Sequence, residues 1–459
     1  MAVTRESEQL KNTFKSKQPT GTYTFIHFGQ PREKNNTKRM EPQTEDHSGS
    51  EFDTDLEESD PPPDEQYPFL HAWTTEAVSM HYNNHRGDCL NMNHFGLGPQ
   101  GAKALAKILK TDSNITTLEL EDNNLQTKGT DYVADMLQIN SNISSLNLSK
   151  NDLCSEGAQI ISKIMLDNYH VKCMRLSGNG FDDVSAKYLA DALKGDYVIR
   201  ELDLSHNKFS TIAGGHLGQM IGVNLGIEVL NLSWNNINMK GAVALCSGLK
   251  INSTLKHLFL AANGFSSYVA EALSQTLKVN STLVSLDLSY NLMDDLAVSL
   301  LCPGLAVNGT LKVLKLPYNT ISSAGALTLL KAVDKSTGTG LEDIDISTVV
   351  VCEAFLQLLG SVQRKFPKLS VQYTALPDVT ERVSALPLFK KHLQENMESL
   401  MEYFRAVDKD GTMKISTVDF RNITSAEMPL TPNQLEWLVK TFDSQCTATI
   451  NYSQFYKMV

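Results

Sequence analysis

The chain has 459 residues, 41% of them hydrophobic and 20% charged, and a formal charge of −11. That length accommodates two to four domains with a sizeable core, and the acidic balance argues against nucleic acid as the main partner. No run of about 18 apolar residues is present, so no transmembrane helix is expected, and residues 1–8 lack the apolar stretch of a secretory signal. The seven cysteines are dispersed and form no CxxC pair. They read as reduced thiols rather than a disulfide framework. A cytoplasmic location is therefore expected, with cytoskeletal or ciliary association left open.

Residues 1–70 differ in kind from the rest. Residues 1–40 are polar and mildly basic, whereas Glu41–Glu65 carries eleven acidic residues and no Lys or Arg, and includes Pro61-Pro62-Pro63. Such a segment buries too little apolar surface to order itself, and disorder is expected over 1–70.

From about residue 71 to 373 an internal repeat decides the architecture. Asparagines in LxLxxN frames stand at 123, 151, 179, 207, 235, 263, 291 and 319, each 28 residues from the last. The paired apolar positions keep register, as in Leu202/Leu204, Leu230/Leu232 and Leu258/Leu260. One step back lies Leu90/Met92. One step forward the register slips by two residues to Ile344/Ile346, and Leu369/Val371 offers a last strand. Leu-x-Leu is a strand alternation, and the segment after each Asn, such as Gly241-Ala242-x-x-Leu245-x-x-x-Leu249, has a helical period. The Gly-Ala pair is expected to let the helix approach its strand. The recurrent Asn is expected to satisfy buried backbone groups where the strand turns away. One unit cannot bury its own apolar face, but stacked units can. Nine or ten units are expected.

The frame Leu230-Asn231-Leu232-Ser233-Trp234-Asn235-Asn236-Ile237, followed by Gly241-Ala242, resembles ribonuclease-inhibitor-type leucine-rich repeats. The resemblance covers residues 88–373. It implies an α/β fold, a leucine-rich repeat solenoid shaped as a horseshoe with a parallel sheet inside and helices outside. Relatives of this repeat type include scaffolds, GTPase activators and enzyme inhibitors, so the repeat alone does not fix function. Together with the module that follows, the chain resembles the vertebrate leucine-rich-repeat-containing protein 74 group. That likeness implies an intracellular protein and supplies no catalytic residues.

Pro377 and Pro387 mark a linker expected over 374–385, and a C-terminal all-α EF-hand-like domain is expected over 386–459. Leu393, Met397, Leu400, Met401 and Phe404 have helical spacing and precede a twelve-residue loop, Asp408–Asp419, that resembles an EF-hand. A weaker copy spans Asp443–Gln454, and Thr431-Pro432 between them signals a helix start. Asp408, Asp410, Thr412, Ser416 and Asp419 are the candidate calcium ligands of the first loop. However, Met413 replaces the usual Gly at the sixth position, where a left-handed backbone is costly, and Asp419 is shorter than the usual Glu. The second loop has one carboxylate, Asp443. The expectation is a degenerate, metal-free pair and no cofactor.

Catalytic patterns are lacking: GxxxxGK[ST], HExxH and GxSxG are all absent. His81, His85, Cys89 and His94 fall near zinc spacing, but Gly87 interrupts them, and a polar N-terminal cap is the expected role. The chain is therefore expected to be a non-enzymatic, monomeric scaffold that binds a protein partner, not nucleic acid or membrane, on its concave face. The alternative is a regulator of an enzyme, a GTPase activator or an inhibitor, that uses the same face. The residue before each frame Asn borders that face. This register yields a candidate patch of His206, Trp234, Tyr290 and Tyr318, with Phe259 between them and His257 facing the same way. The first repeats present Glu119, Glu121 and Asp122 as an acidic rim.

Overall fold

The computed structural model describes residues 75–458, so the expectation of disorder over residues 1–70 lies outside the described residues. The chain opens on helix α1 (Thr75–Asn84) and then alternates short strands with helices. The strands are β1 (Cys89–Asn91), β2 (Thr117–Glu119), β3 (Ser145–Asn147), β4 (Cys173–Arg175), β5 (Glu201–Asp203), β6 (Val229–Asn231), β7 (His257–Phe259), β8 (Ser285–Asp287), β9 (Val313–Lys315), β10 (Asp343–Val350) and β11 (Ser370–Thr374). They form one eleven-stranded sheet in sequence order. All neighbours are parallel, and the register places Leu230 opposite Leu202 and Leu258. This is a leucine-rich repeat solenoid. Ten of the strands are followed by a helix of their own repeat, in keeping with the nine or ten units expected. The last strand, β11, has no helix of its own repeat after it and was legible only through Leu369 and Val371.

Between the strands lie α2 (Gly98–Leu109), α3 (Gln126–Leu137), α4 (Cys154–Asp167), α5 (Asp183–Leu193), α6 (Thr211–Val223), α7 (Met239–Ile251), α8 (Ser267–Leu277), α9 (Asp295–Leu305), α10 (Ser323–Lys335) and α11 (Glu353–Lys365). Both frame leucines are buried in every regular repeat: Leu202, Leu204, Leu230, Leu232, Leu258 and Leu260 are at most 2% exposed. Each such side chain contributes about 1.5–3 kcal/mol by leaving water. The frame asparagines act on the backbone as expected. Asn151 Nδ2 donates to Leu120 O at 2.8 Å, while its Oδ1 accepts from the amides of Asn123 and Leu125. A second Asn ladder closes the helix ends: Asn280 is buried and donates to Leu249 O.

The small residues serve a different contact from the one expected. A Cβ on Gly241 would meet the Thr211 backbone at 2.6 Å, and one on Gly248 would meet Gly218 O at 2.0 Å. The glycines bring neighbouring helices α6 and α7 together rather than a helix to its strand.

The expected linker over 374–385 is corrected by helix α12 (Pro377–Val407). Pro377 occupies the first turn, where its missing N–H costs nothing, so it begins the helix instead of breaking the chain. The helix kinks at Asn396, whose φ of −136° is not helical. Ala385, Phe389 and Leu393, on the first half of α12, are fully buried in a second core with Phe420, Leu438 and Phe455. Helices α13 (Thr417–Glu427) and α14 (Pro432–Phe442) complete this helical part, with a 3-10 turn at Tyr452–Lys457. The signal at Thr431-Pro432 is a capping box with Gln434. Strands β12 (Lys414–Ser416) and β13 (Thr449–Asn451) pair antiparallel, with Ile415 opposite Ile450. This short pairing joins the two EF-hand-like loops.

Candidate functional site

The open face of the sheet is built by three outward positions in each repeat. Two flank the first buried leucine of the strand, and the third precedes the frame asparagine. This border residue is left-handed in repeat after repeat: φ is +57° at Asp122, +55° at Lys150, +69° at Gly178, +55° at His206, +57° at Trp234, +54° at Ala262, +55° at Tyr290 and +56° at Tyr318. The backbone adopts it so that the border amide can donate to the next repeat, as Trp234 N does to Ala261 O at 2.7 Å and Tyr290 N to Pro317 O at 3.0 Å. Glycine meets that requirement without strain, as at 178. A bulky side chain pays about 1–2 kcal/mol for it, so aromatic residues are not there for the backbone's sake.

These aromatics form one continuous row. The His206 and Trp234 rings stack at 5.3 Å and 8°, Trp234 meets Tyr290 at 5.5 Å, and Tyr290 stacks on Tyr318 at 4.2 Å and 12°. Trp234 and Tyr290 belong to alternate repeats, and they touch by leaning across Ala262. Phe259, expected between them, and His257 lie half-buried on β7. Trp234, Tyr290 and Tyr318 remain 47%, 45% and 57% exposed. Burial lowers the pKa of His206 below its ordinary value, with Asp203 opposing and Lys150 assisting. Burial likewise lowers that of His257, assisted by Lys256 and opposed by Glu228. Both shifts favour the neutral imidazole.

The acidic rim expected on the first repeats is corrected. Arg175 Nη1 reaches two repeats back to Glu119 Oε1 at 3.0 Å, where the two side chains are 23% and 14% exposed. Asn147 Nδ2 donates to the same carboxylate at 2.7 Å. Lys150 Nζ pairs with Glu121 at 2.8 Å, and His94 Nδ1 lies 2.9 Å from Asp122. Glu119 and Glu121 are matched by cations of neighbouring repeats, and Asp122 meets an imidazole. The reach of Arg175 across 56 residues left no mark in the local sequence.

His81, His85, Cys89 and His94 do not converge. His81 packs edge-on to Phe95, and His94 faces Asp122. Among the described residues no three His, Cys, Asp or Glu side chains come together as a metal would need.

The EF-hand-like loops keep their shape despite their residues. Met413 takes the left-handed backbone that its side chain disfavours, φ +58°, and Ala448 does the same in the second loop at +59°. The carboxylate of Asp408 is committed to protein donors: the Thr412 amide at 3.0 Å, the Met413 amide at 2.8 Å and the Tyr452 hydroxyl at 2.9 Å. Ser416 Oγ donates to Asp419 Oδ2 at 2.6 Å and caps α13 by accepting from the Asp419 amide. Asp443 repeats the Asp408 pattern with the amides of Thr447 and Ala448. Asp408, Ser416 and Asp419 thus already hold hydrogen bonds that close the loop. Tyr452 has its pKa pushed up to about 12 by burial and by the Asp408 carboxylate it serves.

A family profile described as "Leucine Rich repeat" matches residues 224–246 and 279–302. Among solved structures, the chain is similar to the leiomodin-1 actin-binding site 2, at 20% identity over 28% of this chain and 75% of that one, with a TM-score of 0.23. It is also similar to the Arabidopsis receptor kinase HAESA, solved with a peptide hormone and a co-receptor. There the identity is 20% over 57% of this chain and 38% of that one, with a TM-score of 0.35. Neither likeness bears on the site. No helix among the described residues is long and apolar enough to cross a membrane.

Proposed function

We propose that this leucine-rich repeat protein is a non-enzymatic scaffold that holds a protein partner on the open sheet face, centred on the row His206–Trp234–Tyr290–Tyr318. One observation carries the reading. Three large aromatic side chains are kept about half exposed at left-handed positions that glycine would fill at lower cost. Strain retained at a surface position points to use, and Trp and Tyr bind well because they bury much area for few rotors lost. On that face the Cys173 thiol donates to the Glu201 carboxylate at 3.6 Å, and burial pushes the thiol up to about 11, which disfavours the thiolate that a nucleophile needs. The C-terminal pair is read as a metal-free structural module, because Asp408, Asp419 and Asp443 already accept from protein donors. The kinship proposed is with the vertebrate leucine-rich-repeat-containing protein 74 group, on the strength of the 28-residue frames followed by this module.

The test is a photo-crosslinking residue placed at Tyr290 in the full chain, compared with the same residue at Tyr268 on α8. A partner adduct from position 290 that disappears on adding Trp234→Ala supports the reading. Adducts that form only from position 268 move the site to the helices and refute it.

A further inference from the structure

At the edge of the solenoid where the helices end, each repeat turns into its next strand at a buried Asn, as at 224, 252, 280 and 308. Each of these side chains donates to the end of the preceding repeat's helix, at Leu193 O, Ile221 O, Leu249 O and Leu277 O. The backbone of this edge is satisfied from within, so covering it strands few polar groups. The residue just before each Asn points outward. In four successive repeats it is aliphatic: Val223, Ile251, Val279 and Val307, each more than half exposed. Leu225, one residue past its Asn, is exposed as well, and Tyr197 and Tyr169 hold that position in the two repeats before. Ile251 leans back over the previous repeat, where a Cβ on Gly222 would meet its Cδ1 at 3.1 Å. The frame does not demand an aliphatic residue here, since Asp167, Gly195 and Lys335 occupy the same position in other repeats. Lys250 and Lys278, adjoining Ile251 and Val279, form no ion pair within 4.0 Å among the described residues. In these two registers the carboxylates within the stretch from Tyr169 to Lys335 are Asp167 and Asp334, in the repeats at either end. On the strand side, Glu228 is shared by two cations, Arg200 and Lys256. The hollow behind the edge, lined by Ile221, Asn224, Ile227 and Leu255, is about 10 Å³, room for no more than one water. The edge thus presents projecting side chains, not a seat for a helix.

We propose that this helix-end edge rests on an anionic lipid surface, with Val223, Leu225, Ile251 and Val279 entering the headgroup layer and Lys250 and Lys278 meeting lipid phosphates. A soft surface receives isolated projecting side chains that a rigid protein face would have to match with pockets. Apolar groups reach about 5–10 Å into the headgroup boundary, and flanking lysines add attraction to anionic lipid. Tyr169 and Tyr197 suit the same layer, because an amphipathic ring sits well at a membrane–water interface. The contact is peripheral, and it requires no helix that crosses the bilayer. The formal charge of −11 does not oppose it. At physiological salt charges are screened beyond about 8 Å, so the cations on the edge itself decide what it meets. A second copy laid on the same edge would set its Lys250 and Lys278 against these two, like charge on like. The inference uses none of the aromatic row, so it stands apart from the scaffold reading.

The experiment is co-sedimentation of the full chain with vesicles at physiological salt. One set is phosphatidylcholine alone, and the other contains phosphatidylserine at about 30%. Binding to the mixed vesicles is expected to be about tenfold tighter or more. Lys250→Gln with Lys278→Gln should weaken it about tenfold, since each lysine is drawn to the anionic surface. Ile251→Ser with Val279→Ser leaves every charge in place and should also weaken it about tenfold. Ile212→Ser with Leu296→Ser, at equally exposed positions where helices begin, should change nothing. Thermal melts identify any variant that loses its fold, and the lysine pair keeps the test decisive if the serine pair does. Equal binding to both vesicles, no binding to either, or parental binding by the lysine or the serine pair overturns the proposal. So does an equal loss in the Ile212 and Leu296 control. If vesicles fail and a photo-crosslinker at Ile251 captures a soluble protein, the edge is a protein site and the lipid proposal falls. The crosslink from position 290 reads the scaffold site separately in each case.

Discussion

The two halves of the sheet face are built on one frame and have opposite chemistry. In β2 to β4 the outward residues are polar and charged, and they satisfy one another: Glu119 with Arg175 and Asn147, Glu121 with Lys150. From β5 to β9 the border residues are rings except for Ala262, and Asp203 and Asp287 beside them form no ion pair within 4.0 Å among the described residues. The frame leucines and asparagines do not change across the boundary. Fold and surface are thus specified by separate positions of the same 28-residue unit. The first half pairs its own charges, and the second carries a row of rings instead.

The comparison presumes one continuous array beneath both halves, and the largest expected effect tests that. Leu232 is fully buried in the middle of the array. Leu232→Asp places a carboxylate there without partners, and a loss of more than about 4 kcal/mol is expected. Calorimetry should show the repeat domain unfolded or its transition split, since each unit is stabilised by its neighbours. A melt like the parent's would mean the halves do not share this core.

Next in size is the helix seam behind the second half. Gly248→Ala puts a Cβ 2.0 Å from Gly218 O, and overpacking of this kind costs about 1–3 kcal/mol. Chemical denaturation should register that loss. The same substitution at Gly215, where a Cβ meets nothing within 4 Å, should not be destabilising.

Arg175→Ala sharpens the comparison directly, because it makes the first half resemble the second. It leaves the mostly buried Glu119 without its guanidinium. Asn147 still donates to that carboxylate, so a loss of about 1–2 kcal/mol is expected. The variant should also bind a basic probe at the first repeats, visible as new protection of β2 and β3 in hydrogen exchange. Unchanged stability would mean the pair is only a surface contact.

The smallest effect is one of pH. The pKa of His206 is lowered from an ordinary 6.5, so the unfolded chain takes up this proton before the folded one. The stability tied to the neutral ring is complete above pH 6.5 and fades as pH falls through and below it. His206→Gln should reduce the slope of stability against pH between 7 and 5. A slope unaltered by that substitution would show that the imidazole is not held neutral by its place against Trp234.

How much of this was legible follows from where each signal is stored. The strands, the asparagine ladder and the identities of the row residues were readable because each recurs at 28 residues, and one register locates them all. The contact of Trp234 with Tyr290 over Ala262 was not readable. It depends on the left-handed border backbone, which swings the rings along the array. The pairing of Glu119 with Arg175 was hidden because it skips a repeat. Pro377 was read as a breaker because sequence does not distinguish the first turn of a helix from its interior. The EF-hand-like loops were recognisable, but their closure by Tyr452 and Ser416 came only with three-dimensional contacts.

The central claim is that the partner is held by the second half, and one matched pair of variants tests it most directly. A partner captured by the intact chain would be titrated against Trp234→Ala/Tyr290→Ala and against Glu119→Gln/Glu121→Gln, each checked for an unchanged melt. Loss of two central aromatic anchors should weaken binding by about 30-fold or more. Neutralising the self-paired carboxylates should change it by less than about threefold. Full affinity in the aromatic variant, or the larger loss in the glutamate variant, would contradict the account.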